Sequence, residues 1–156
     1  MAKKVVVTGG AGFIGSHIVD EALVRGFEIH VLDNYAGGKK DERLNGEATY
    51  HDLDIRNYDD IAPVIAGAAY VFHEAALPRV QFSIEHPLET FAVNVTGFLN
   101  VLRASHLGGV SRVIAASSGS VYGDQTEMPL VETMEPQPKS PYGMQKYVAE
   151  RMAKLW

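Results

Sequence analysis

Three consecutive valines, Val5, Val6 and Val7, form the first hydrophobic run of the chain. A run apolar at every position fits a strand buried on both faces, as in a parallel sheet, and not the alternation of a half-exposed strand. Beyond a glycine cluster the period lengthens. Ile14, Ile18, Ala22 and Val24 recur at helical spacing, predicting a helix over residues 14–25 with Gly26 as its stop. Residues 27–32 return to the strand pattern and close on Asp33, and residues 49–53, 69–73 and 112–116 are further strands, the last of them an apolar run that reads as buried, or as an exposed sheet edge where no strand follows the final helix. A short helix is expected over 58–66 despite Pro63. A long one is expected over 88–106, where Phe91, Val95, Phe98, Leu99 and Leu102 share a face and Gly108-Gly109 ends the run. The final helix spans 141–156, with Ser140 as N-cap and Pro141 in the first helical position. Residues 35–45 and 126–140 read as loops. Strands alternating with helices imply parallel βαβ units with right-handed crossovers, and so a doubly wound α/β sheet of Rossmann type.

Composition narrows the partners. The 156 residues, 46% hydrophobic and 21% charged, suit one folded domain. A net charge of -5 with no basic stripe argues against nucleic acid. The absence of cysteine excludes disulfides and thiolate sites. The N-terminal apolar run is too short for a signal core or a membrane span, so the expectation is a cytoplasmic protein with no membrane partner. The six histidines (17, 30, 51, 73, 86 and 106) contain no helical ligand pair, and no metal site is expected. Asp52 and Asp54 alternate as strand-end neighbours do, and Asp124, Glu127, Glu132 and Glu135 decorate a solvated loop.

The glycine cluster carries the chemistry. Gly9, Gly12 and Gly15 form a G-x-x-G-x-x-G series that follows the first strand and opens the first helix through Phe13 and Ile14. A chain there turns sharply, lets a pyrophosphate approach without a Cβ in the way, and packs helix on strand. The helix N-terminus offers unpaired N–H groups and the positive end of its dipole. Asp33, at the end of the next strand, is placed for the adenosine ribose hydroxyls, and its carboxylate would repel a 2′-phosphate. The reading is a dinucleotide site selective for NAD over NADP.

Seven landmarks occur in order: TGGAGFIGSH from Thr8, LDN from Leu32, DLDIR from Asp52, HEAA from His73, NVTGFLNVL from Asn94, SSGSVYG from Ser117 and SPYGMQK from Ser140. This set resembles the extended short-chain dehydrogenase/reductases, specifically the NAD-dependent epimerase/dehydratase group, and within it the UDP-sugar 4-epimerases. The resemblance implies that the glycine loop with Asp33 and Asn34 holds the pyrophosphate and adenosine ribose. It also implies that Asp54 and Ile55 lie at the adenine, that Ala75 and Ala76 line the cofactor, and that Asn94 is a helix asparagine near the site. Ser118, Tyr142 and Lys146 match the catalytic Ser/Thr, Tyr and Lys. Members of the group carry a second, smaller substrate domain, so residues 1–156 are expected to be the NAD-binding domain alone, truncated after the Tyr/Lys helix with the C-terminal substrate domain absent. A homodimer through helices 88–106 and 141–156 is likewise implied. Two departures stand out. Gln145 replaces a frequent Ser before the Lys, and Pro78 stands where some epimerases have a basic residue, with Arg79 adjacent.

Tyr142 and Lys146, four apart on one helix, share a face. A cation about 4 Å from a phenolate at an effective dielectric of ~20 contributes roughly 4 kcal/mol, or up to about 3 pKa units, which would make Tyr142 a usable base. In the resembling family, dehydratases place Asp-Glu directly after the catalytic Ser/Thr, and decarboxylating members place a Glu two residues after it. Here those positions are Gly119 and Ser120. Epimerisation at the C4 of a UDP-sugar needs no such carboxylate. The alternative is a non-catalytic NAD-binding module completed by another chain.

Overall fold

The computed structural model describes residues 2–156. Its elements run β1 (Lys4–Thr8), α1 (Phe13–Val24), β2 (Glu28–Asp33), β3 (Thr49–Asp52), α2 (Tyr58–Ile65), β4 (Tyr70–His73), α3 (Val80–Glu85), α4 (Pro87–Phe91), a π-helical segment (Ala92–Gly97), α5 (Phe98–Leu107), β5 (Arg112–Ala115) and α6 (Pro141–Ala153). Contacts group these into two compact units, one up to Ala75 together with Asn100–Ala116, the other Ala76–Leu99 with Ser117–Trp156.

The first unit is a five-stranded parallel sheet of order β3-β2-β1-β4-β5 with flanking helices, the Rossmann-like doubly wound arrangement expected from the alternation of periods. β1 lies at its centre, and Val5, Val6 and Val7 are fully buried, each worth about 2 kcal/mol of apolar transfer. Val5, Val7, Ile29 and Val31 form a core with Val19 and Ala22 of α1.

Three expectations need correction. The buried stripe of α1 is Gly15, Ser16, Val19 and Ala22, while Ile14 and Val24 are exposed. The glycine loop brings the helix so close to β1 that only small residues fit beneath its first turn. β5 is an edge strand that, among the described residues, pairs with β4 alone, and it is largely exposed, so of the two expectations for it the exposed edge holds and burial does not. Its Ile114 joins Ile14, Ile18, Phe27 and Phe72 in lining an open apolar groove of about 860 Å³. The long helix is not uniform. The π segment Ala92–Gly97 shifts its phase, so Val95, Phe98 and Leu102 are buried while Leu88, Phe91 and Leu99 face outward. α3 and the 3₁₀ turn Gly119–Val121 carry no clear periodicity, and sequence patterning missed both. Pro63 is tolerated inside α2, and Gly26 and Gly109 end their helices with positive φ. Among the described residues no helix is long and apolar enough to cross a membrane.

Candidate active site

In the first unit the glycines are compelled by close approach. A Cβ on Gly9 would lie 2.6 Å from the Ala75 nitrogen, and φ there is +71°. A Cβ on Gly15 would fall onto the Gly9 carbonyl. Gly12 caps α1 with extended backbone, no side chain caps that end, and no acidic residue lies in the first turn. Its N–H groups are therefore available to an anion, with Phe13 and Ile14 exposed beside them.

The carboxylate of Asp33 is already engaged with this loop. One oxygen accepts the N–H of Ala11 at 3.0 Å and the other that of Tyr35 at 2.8 Å. Each oxygen keeps a further lone pair for a sugar hydroxyl. Asn34 donates to Asp54 at 3.0 Å, and Arg56 grips the same carboxylate at 2.6 Å. That grip holds the Asp54 pKa below the usual carboxylate range. Ile55 is buried, and its carbonyl accepts from Asn100 at 3.1 Å. The buried Thr8 hydroxyl pairs with His73 Nδ1 at 2.8 Å and accepts the N–H of Ala75 at 3.3 Å, which ties the end of β4 to the glycine loop. Sequence reading missed this tie and the Arg56 grip. The i, i+2 spacing of Asp54 and Arg56 was a signal for the second.

In the second unit Ser140 caps α6 by accepting the N–H of Gly143 at 3.0 Å, as expected. Tyr142 and Lys146 are both buried, at 8% and 7% exposure. The Tyr142 N–H donates to Ser83 Oγ at 3.1 Å, and Ser83 donates to the Val80 carbonyl at 2.6 Å. Gly143 lets α6 rest on the turn bearing Ser118: a Cβ there would meet the Ser120 carbonyl at 2.5 Å. Ser118 Oγ accepts the Ser120 N–H at 3.2 Å. Ser117 bonds Glu150 of the same helix. Asn94 spends its amide on the loop residue Leu77, accepting its N–H at 2.8 Å and donating to its carbonyl at 3.1 Å. Ala76 precedes that clamped residue.

Burial pushes the Tyr142 phenol above its ordinary value, and the Ser118 hydrogen bond pulls it part of the way back. The net direction is opposite to the one expected from the Tyr142–Lys146 spacing. Removing the phenol from water outweighs the stabilisation of its anion. Among the described residues no cluster of metal-ligating groups occurs.

The solved structures most similar to this chain include the UDP-glucose 4-epimerase of the hyperthermophilic eubacterium Thermotoga maritima, crystallised with UDP-glucose. It has a TM-score of 0.93 and 36% identity over 97% of this chain and 50% of that one. The Thermus thermophilus UDP-glucose 4-epimerase, in complex with NAD, has a TM-score of 0.90 and 39% identity over the same shares. A UDP-glucose 4-epimerase from Klebsiella pneumoniae is 43% identical over 138 residues, which is 83% of this chain and 99% of that one. The chain spans about half the length of the two solved epimerases and of its Methanocaldococcus jannaschii relative. Residues 5–156 match the NAD dependent epimerase/dehydratase family. By this match and these likenesses, the chain belongs to the NAD-dependent epimerase/dehydratase family.

Proposed function

We propose that this chain is the NAD-binding half of a UDP-sugar 4-epimerase and that it holds the cofactor on the Gly9, Gly12 and Gly15 loop. The uncapped, acid-free first turn of α1 supports a diphosphate there. The loop-tied Asp33 supports a free ribose diol and hence NAD over NADP. When bound, NAD supplies what the side chains lack, an acceptor that takes a hydride from the sugar and gives it back, so that it is recycled.

The observation that carries the reaction is the close seat of α6, with its buried Tyr142 and Lys146, on the Ser118 turn, which has no carboxylate at Gly119 or Ser120. In this reading Tyr142 takes the O4 proton as the C4–H bond releases hydride, leaving a 4-keto sugar. Ser118 donates to the same oxygen, and Lys146 keeps positive charge near the phenolate. Return of the hydride to the other face of C4, with the proton returned to O4, gives the epimer. No water is eliminated and no carbon is lost, so no further acid or base is required. The buried Tyr142 rests as the neutral phenol, and positive charge brought near it on cofactor binding is needed to draw the proton off.

The dimer reading has its own support. Leu88 (86% exposed), Phe91, Leu99 and Met144 leave apolar side chains outward on α4, α5 and α6.

The test is interconversion of UDP-glucose and UDP-galactose, followed by chromatography, for the 156-residue chain alone and fused to the C-terminal half of the Thermotoga enzyme. Epimerisation by the fusion that Tyr142→Phe abolishes while NAD binding persists supports the reading. A fusion that binds NAD and both sugars yet leaves them unchanged favours the non-catalytic module.

A further inference from the structure

Gln145 lies between Tyr142 and Lys146 on α6, at the position where this chain departs from the serine frequent in the family it resembles. Its carboxamide is engaged at both ends inside the second unit. Oε1 accepts from Asn94 Nδ2 at 2.8 Å, and Nε2 donates to Thr90 Oγ1 at 2.9 Å. Thr90 in turn shares its single hydroxyl proton between the His86 and Pro87 carbonyls. Gln145 and Asn94 are 4% and 3% exposed, and Thr90 is fully buried. Asn94 lies in the π segment, and its amide clamps the Leu77 peptide at both its N–H and its carbonyl. A buried polar chain satisfied at every member holds one geometry, because breaking any link leaves a desolvated group unpaired. A serine at 145 is too short to reach Asn94 or Thr90.

We infer that Gln145 is a positioning residue: acting through Asn94, it tethers the Leu77 peptide to the helix that carries Tyr142 and Lys146, so that loop and acid–base pair keep one spacing when the dinucleotide binds. The cofactor part of this rests on the reading proposed above; the tether does not.

The test is amide hydrogen exchange by NMR on the 156-residue chain, with Leu77 read against Val6 of the central strand, alongside calorimetric titration with NAD. Gln145→Met removes both polar ends at nearly constant volume, Gln145→Ser shortens the side chain, and Gln145→Glu keeps an acceptor for Asn94. The Met and Ser variants are expected to speed Leu77 exchange about 10-fold relative to Val6, the effect of one lost buried hydrogen bond, and to weaken NAD binding by a few-fold. Gln145→Glu is expected to keep the wild-type Leu77 ratio. An unchanged Leu77 ratio in whichever of the Met and Ser variants folds overturns the tether, as does an equal loss in Gln145→Glu. Faster Leu77 exchange in the Met and Ser variants, together with a wild-type chain that gives no NAD heat, supports the tether and counts against the cofactor reading alone.

Discussion

Asp33 and Ala11 are joined by a 3.0 Å hydrogen bond from backbone N–H to carboxylate. The residue expected to select the cofactor thus also braces the loop that would hold it. Its second oxygen takes the N–H of Tyr35.

Asp33→Ala therefore has two consequences. Two charge-assisted bonds are lost, and unfolding should become easier by about 2–4 kcal/mol, since bonds to charged groups contribute ~1.5–3 kcal/mol each and do not add fully. NAD affinity should also fall by more than NADP affinity. Denaturant melts check the first expectation and paired titrations with the two dinucleotides the second. An unchanged preference would remove Asp33 from the ribose.

Gly15 and Gly26 separate two uses of glycine. Gly15→Ala places a methyl group on the Gly9 carbonyl, so the loop must deform. Gly26, with φ +80°, has open space around it, and its replacement costs only about 1–2 kcal/mol of left-handed strain. Gly26→Ala should lower thermal stability and leave NAD binding unchanged, whereas Gly15→Ala should eliminate binding even where the chain still melts cooperatively. Calorimetry on the two variants distinguishes them.

The raised Tyr142 pKa gives a pH dependence of known sign. Burial favours the neutral phenol, so its folded pKa exceeds the unfolded value of about 10. The stability it contributes is complete below about pH 10 and is lost as pH rises through the folded value. Thermal melts between about pH 9 and 12 should fall more steeply for the wild-type chain than for Tyr142→Phe. Parallel slopes would show that the phenol is not preferentially neutral in the fold.

The parts of the molecule with a strong local signal were legible in the sequence. The valine triplet of β1, the glycine series, the acid closing β2 and the Ser140-Pro141 start of α6 each impose structure through their own chemistry, and each appears as expected. What escaped depends on distant partners. The exposure of β5 follows from which strands neighbour it: its apolar residues alone pointed to burial, and the exposed edge was legible only from the order of elements. The π segment comes from six residues whose periodicity is compatible with an ordinary helix. The role of Gln145 arises from a side chain fifty-one positions away in the chain. The i, i+4 spacing of Tyr142 and Lys146 pointed to a lowered phenol pKa, whereas burial, a property of the packed fold, raises it.

The central claim, that dinucleotide binds on the glycine loop, is tested most directly by calorimetric titration of the folded 156-residue chain with NAD. Saturable one-to-one heat is expected, which Gly15→Ala removes and NADP reproduces only weakly. A wild-type chain that melts cooperatively yet gives no saturable heat, or binding that Gly15→Ala leaves intact, would contradict it.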